Sequence, residues 1–306
     1  MNAGLSASDA GWSRRKFLAR GAMLTAATAL GGPRGWAHAG HAARPLFTQQ
    51  GIAAPLERGE EMHAAGADYL VPRAADVLRP DLSDADFEIW RERITAAGIP
   101  VLCSNFFLAR PHLRCTGPDA NHDEVLRYAT LLFRRLRLIG GRYVCFGSSG
   151  SRRLPDGWPK VEADAQFARL LAHMGPLAAD SGIIVALEQL RSAECNYLNH
   201  LDEVTTMVEQ VDHPSIRVLA DFYHMRHMGD PPEALVRCGG LLALIEIAEK
   251  EGRKYPGVAG DDFRPYFSAL QAAGYSGPIT IEGEGEVHQL PAAFACITDQ
   301  AAGPSG

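Results

Sequence analysis

The chain has 306 residues, with 30 Lys and Arg against 36 Asp and Glu and a formal net charge of −6. Affinity for nucleic acid comes mostly from Lys and Arg that neutralise phosphates, so this balance excludes DNA and RNA as main partners. Six cysteines (Cys103, Cys115, Cys145, Cys195, Cys238 and Cys296) form no C-x-x-C pair, so a structural zinc site is not signalled.

Residues 1–39 read as an export signal. Ser13-Arg14-Arg15-Lys16-Phe17-Leu18 is a twin-arginine pattern, a mildly apolar stretch runs from Phe17 to Gly32, and Ala37-His38-Ala39 is an A-x-A cleavage site. The stretch is too short and too rich in Ala and Gly for a membrane anchor, and no cysteine is there to take a lipid. The expected partner is the twin-arginine export machinery, and the expected location is the periplasm or the outside of the cell. That compartment permits a disulfide. Losing Arg14, Arg15, Lys16, Arg20, Arg34 and Asp9 with the signal takes the net charge from −6 to −10. What remains, residues 40–306, matches one β/α barrel of typically ~250 residues.

From about residue 45, strand-like runs alternate with helical ones. Strands are expected near Leu46–Ile52, Asp68–Val71, Ile99–Cys103 and Arg142–Phe146. Helices are expected near Leu56–Ala65, Asp84–Ala97 with Ser83 as N-cap, His122–Ile139 and Val161–Asp180. The segment Phe106–Asn121 lacks periodicity and reads as a lid-like loop.

Four further apolar runs each end in a carboxylate: Gly182–Glu188, Ile216–Asp221, Leu241–Glu246 and Pro278–Glu282. Helices are expected between them near Leu201–Val211, Pro232–Arg237 and Asp262–Ala273. Eight alternating units predict a parallel sheet closed into a single-domain (β/α)8 TIM barrel. Strand tips in such a barrel converge on one mouth, where catalytic residues gather.

An acid after an unbroken apolar strand is costly unless it is at the tip and paired or ligated. One such acid is as readily a strand-end cap, whereas four in successive strands point to a site. An oxygen-rich set suits Mn²⁺ first, with Mg²⁺ and Co²⁺ as alternatives, over Zn²⁺. Glu188 and Glu282, on strands five and eight, are far enough apart to flank a substrate and take and return a proton next to a carbonyl. The loop Gly147–Trp158 carries Arg152 and Arg153 at the same mouth, where they and backbone amides are candidates to hold a phosphate or sugar acid. His122 and His213 read as helix-end or turn residues, Trp90 as core, and His227 and His288 as near enough to reach the pocket.

The segments Ala186-Leu187-Glu188-Gln189-Leu190 with Glu194 and Asn199, Ala220-Asp221-Phe222-Tyr223-His224-Met225, and Pro256-Gly257 through Asp261-Asp262-Phe263-Arg264-Pro265 to Glu282 resemble the sugar phosphate isomerase/epimerase family of xylose-isomerase-like barrels. The resemblance covers most of residues 45–288 and is strongest from Val185 onward. It implies Glu188, Asp221 and Glu282 as metal ligands, with Glu188 and Glu282 the acid/base pair. It implies His224, Glu194 and Arg253 as substrate-binding. One position departs: where the family usually has a histidine ligand, this chain has Glu246. The extra negative charge is expected to be offset by Lys250 or Arg253, or by a proton kept on one acid.

These features predict a metal-dependent isomerase or epimerase of a small carbohydrate, loaded with its metal before export in the folded state. A lyase acting on a keto sugar, inosose or 3-keto-glycoside would use the same site. An exported binding protein on a decayed barrel is the alternative of another class, and the Glu246 departure is its main support. Specificity is expected from the two loops and from partner subunits of a homo-oligomer.

Overall fold

The computed structural model describes residues 45–303. The twin-arginine pattern and the A-x-A site lie outside the described residues. No described helix is long and apolar enough to cross a membrane.

Eight strands form one parallel sheet: β1 (Phe47–Ile52), β2 (Tyr69–Leu70), β3 (Cys103–Ser104), β4 (Tyr143–Phe146), β5 (Ile184–Glu188), β6 (Ile216–Asp221), β7 (Leu242–Ile247) and β8 (Gly277–Ile281). Their order is β2-β1-β8-β7-β6-β5-β4-β3. The ends meet through isolated bridges, Leu70 to Val101 and Arg73 to Asn105, which nearly close the sheet into the expected barrel. Strands two and three are shorter than the apolar runs suggest. Pro72 and Pro100 flank that seam, and a proline offers no N–H to a ladder. Each accepts instead, Pro100 from the Leu70 amide at 2.8 Å and Pro72 from the Asn105 amide at 3.2 Å.

Helices follow the strands for local reasons. Ser83 caps the helix Asp84–Ala96, its hydroxyl accepting from the Asp86 amide at 3.2 Å. In the helix His122–Leu138, Val125, Ala129, Leu132, Phe133 and Leu136 recur at helical spacing and are buried against the strands. Four helices escape the sequence pattern: Ala74–Leu78, Ser149–Arg152, Phe222–Met228 and the last, Leu290–Ala302. The first three are too short for a periodic signal. All six cysteines are free thiols.

The core has two layers, as a barrel requires. The larger fills the space between strands and helices. The smaller fills the barrel interior and includes Tyr69, Cys103, Cys145, Ala186, Leu219 and Leu244. Tyr69 crosses the interior to Thr280, with 2.8 Å between their hydroxyl oxygens. It has room because Gly51 has no Cβ, which would collide with the Tyr69 ring.

Candidate metal centre and active site

The interior layer dictates the site. Side chains on one strand face repeat every second residue. Two residues beyond Ala186, Leu219, Leu244 and Thr280 come Glu188, Asp221, Glu246 and Glu282. These four acids therefore stand inward, one row above the core at the strands' C-terminal ends. Each offers an oxygen lying within 4.8 Å of an oxygen of every other. Glu188, Asp221 and His224 form an overlapping group by the same measure.

Asp221 is held by the turn that follows it. As N-cap of the helix Phe222–Met228, it accepts from the Tyr223 amide at 2.6 Å and the His224 amide at 3.4 Å. That turn brings His224 inward. Its Nδ1 accepts from the Arg191 amide at 3.3 Å, leaving Nε2 facing Glu188 at 3.3 Å and Asp221 at 3.5 Å. Burial pulls the His224 imidazole toward neutrality, but Asp221 and Glu188 outweigh it and its pKa is raised.

Arg253 is the counter-charge. Its Nη2 reaches Asp221 at 3.3 Å and also donates to the Glu282 carboxylate, Nε donates to the Glu282 carbonyl at 3.0 Å, and Nη1 faces Glu194 at 3.7 Å. Burial works against the guanidinium's charge, yet the surrounding acids hold its pKa above its usual value. Lys250 is exposed, and its side chain forms no ion pair with these acids among the described residues. The loop that carries Arg253 is organised by a fifth acid. Buried Glu249 accepts from the amides of Gly257 at 2.8 Å, Gly260 at 2.9 Å and Asp261 at 3.2 Å.

The donor set fits a divalent cation. Glu246 is 1% exposed, and neither carboxylate oxygen has a hydrogen-bond partner among the described residues. Burial, then the neighbouring Glu282, push its pKa well above the ordinary carboxylate value. Burial likewise raises Glu282 to about 7, against the pull of Arg253. Four acids gathered around orphaned oxygens need positive charge or protons.

Asn105 and Gly147 were missed by the sequence reading, although the same two-residue step from Cys103 and Cys145 reaches both. Asn105 donates to Glu282 at 3.1 Å. A Cβ at Gly147 would collide with the Glu188 carboxylate, so close approach requires glycine there.

Glu194 sits at the rim, bound by Arg191 at 2.8 Å. Arg152 and Arg153 do not form the expected anion grip. The loop turns into a short helix, Ser149–Arg152, which buries Arg152 and sends Arg153 to the Glu194 carbonyl at 2.5 Å. Ser148 and Ser149 line the cleft in their place. The segment Phe106–Asn121 is an irregular loop, but not a lid: Phe107, Leu108, Leu113 and Cys115 are buried in the core and only Phe106 lines the cleft. His227 Nε2 lies 3.2 Å from the Lys250 carbonyl, and neither it nor His288 lines the cleft. Three of the six described non-glycine residues with positive φ, Phe106, Ser148 and Arg253, line the cleft. Backbone strain of this kind concentrates at functional sites.

The model of the family described as xylose isomerase-like TIM barrel matches residues 60–300. The chain belongs to the xylose isomerase-like TIM barrel family. Within it the chain is 30% identical, over 221 residues, to an L-ribulose 3-epimerase of Methylomonas sp. (strain DH-1), covering 71% of this chain and 74% of that one. It is 31% identical over 134 residues to a 3-dehydro-D-guloside 4-epimerase of Escherichia coli (strain K12), covering 44% of this chain and 49% of that one. A solved L-ribulose 3-epimerase structure superposes with a TM-score of 0.70 at 20% identity, over 83% of this chain and 94% of that one. At that identity the superposition speaks for the xylose isomerase-like fold alone.

Proposed function

We propose that the protein is a divalent-metal-dependent epimerase of a small carbohydrate, transferring a proton at the carbon next to a carbonyl. The observation that carries this reading is the inward ring of Glu188, Asp221, Glu246 and Glu282 at one barrel mouth. Both relatives are epimerases by name, one of a free ketose and one of a guloside.

Glu188, Asp221, Glu246 and Glu282 would hold the metal, Mn²⁺ by the hardness of an all-oxygen set. When bound there, such a cation would supply the positive charge that stabilises negative charge developing on a substrate carbonyl. Glu188 and Glu282 stand on strands three places apart in the ring and act as the acid/base pair, one taking the proton and the other returning it on the opposite face. His224, Glu194 and Arg253 border the cleft and bind substrate oxygens. Ser13–Leu18 and the A-x-A site support export of the folded protein by the twin-arginine route to the periplasm or beyond.

The test is incubation of the Mn²⁺-loaded protein with ketoses, inososes and 3-keto-glycosides in D₂O. Deuterium incorporation next to the carbonyl, lost in Glu188→Gln and in Glu282→Gln, is expected. No incorporation with any sugar would overturn the reading.

A further inference from the structure

The cleft does not end at the carboxylates. The space directly over them is about 90 Å³, whereas beyond Glu282 the groove opens into a second cavity of about 540 Å³. Asn105, Phe106, Arg253 and Glu282 line both, so the two are continuous. Ligand pockets typically span roughly 300–1,000 Å³, a range that the inner space alone falls below and the outer one meets.

The outer cavity has its own construction. Most of its lining comes from the segments after the first three strands, and Arg253 with Glu282, Gly283 and Glu284 closes the side toward the acids. Ala53, Pro55, Val71 and Pro72 make that lining largely apolar. Phe106 stands where the two cavities join. It is 47% exposed, an unusual setting for a large aromatic ring, and its backbone is held at a φ of 50°. The Arg73 guanidinium lies 4.1 Å from the ring centroid and fixes it through one face. Asp76 and Glu284 add negative charge to the lining. Arg73 is engaged with Phe106 and Arg253 with the acids, so the apolar wall and the braced aromatic ring are what the cavity offers, and they suit an uncharged ring with polar edges.

We propose that this cavity is a subsite for the second half of a glycoside: a keto sugar seated over the carboxylates carries, through its anomeric oxygen, a sugar or aromatic ring that rests against Phe106. The proposal rests on the proton-transfer reading above and names its substrate class. Phe106 and Arg73 are specificity residues that favour glycosides over free monosaccharides, and the proton chemistry is unchanged between the two.

The test compares 3-keto-glucose with phenyl 3-keto-β-glucoside and 3-keto-cellobiose on the Mn²⁺-loaded protein, following deuterium incorporation from D₂O. The glycosides are expected to show kcat/KM about tenfold or more above the free sugar, as for one well-placed aromatic contact with its buried area. Phe106→Ala should bring that ratio close to one, and Phe106→Trp should keep it. Equal kcat/KM for free and substituted sugars, or a Phe106→Ala loss of the same factor on both, overturns the subsite. Calorimetric binding of unoxidised phenyl β-glucoside and glucose separates the subsite from the reaction, because it needs no chemistry. Tighter binding of the phenyl glucoside that Phe106→Ala abolishes, without deuterium exchange on any keto sugar, retains the subsite and removes the reaction. Exchange on free sugars with no preference for the phenyl glucoside does the reverse.

Discussion

Asp221 and Glu246 are register partners on β6 and β7, and their hydrogen-bonding states are opposite. Asp221 accepts two backbone amides. Glu246 accepts nothing from the described residues. An acid kept buried without partners is destabilising in the absence of a cation. Glu246→Gln is therefore expected to move two readouts in opposite directions: a higher Tm without metal, and Mn²⁺ affinity lower by about tenfold or more. Glu246→His should retain binding. Unchanged affinity in Glu246→Gln, measured by calorimetry, would remove Glu246 from the ligand set.

The raised carboxyls give a pH dependence with a definite sign. Glu282 lies at about 7 in the folded chain against an ordinary value of 4.5. Between those values the folded state holds a proton that the unfolded state has released, so stability without metal falls as pH rises. A divalent cation binds the ionised form, so the Mn²⁺-induced gain in Tm should grow across the same window. Thermal scans from about pH 5 to pH 8 check both slopes, and Glu282→Gln should flatten them.

Gly147 tests how tightly Glu188 is positioned. A methyl group at residue 147 would displace the Glu188 carboxylate while leaving the barrel's core layers untouched. Misplacing a reacting group by about 1 Å can cost on the order of 10²-fold in rate. Gly147→Ala should lose about that much proton exchange while keeping a native circular dichroism spectrum. Wild-type exchange would mean that Glu188 has slack.

Asn105 stabilises ionised Glu282 through its 3.1 Å hydrogen bond. Removing a donor to a carboxylate raises the acid's pKa. In Asn105→Ala the acid limb of the kcat/KM profile should move to higher pH, with a rate loss of about tenfold at the original optimum. A uniform loss at every pH would point to a packing defect.

Export is checked by cell fractionation. The wild-type chain is expected outside the cytoplasm and shorter by the segment ending at Ala39. Arg14→Lys combined with Arg15→Lys should leave the full-length protein inside.

The acidic half of the site was legible because β5 and β6 end in acids, β7 carries Glu246 next to its last residue and β8 is followed at once by Glu282. An inward step of two from apolar core residues is a sequence-level pattern. The same step reaches Asn105 and Gly147, but neither residue type signals chemistry, so the pattern passed over them. For Arg152 and Arg153 the sequence left an anion grip and a solvated loop equally open, because exposure of a charged pair is decided by tertiary packing: the short helix Ser149–Arg152 turns one inward and the other toward the Glu194 carbonyl. The helices Asp84–Ala96 and His122–Leu138 were readable near their observed bounds, whereas Ala74–Leu78 and Phe222–Met228 are too brief to establish a period.

The seam between β2 and β3 has an evolutionary consequence. Backbone pairing is sparse there, two isolated bridges flanked by prolines, whereas β5 through β8 are joined by ladders of three or four register pairs each, with one irregularity at Val218 and Leu219. Insertions and substitutions on the sparse side disturb few ladder bonds and leave the acid ring's scaffold in place. One flank of the mouth can therefore accept changes of shape that alter which ligand fits, while the reacting acids on the other flank keep their places.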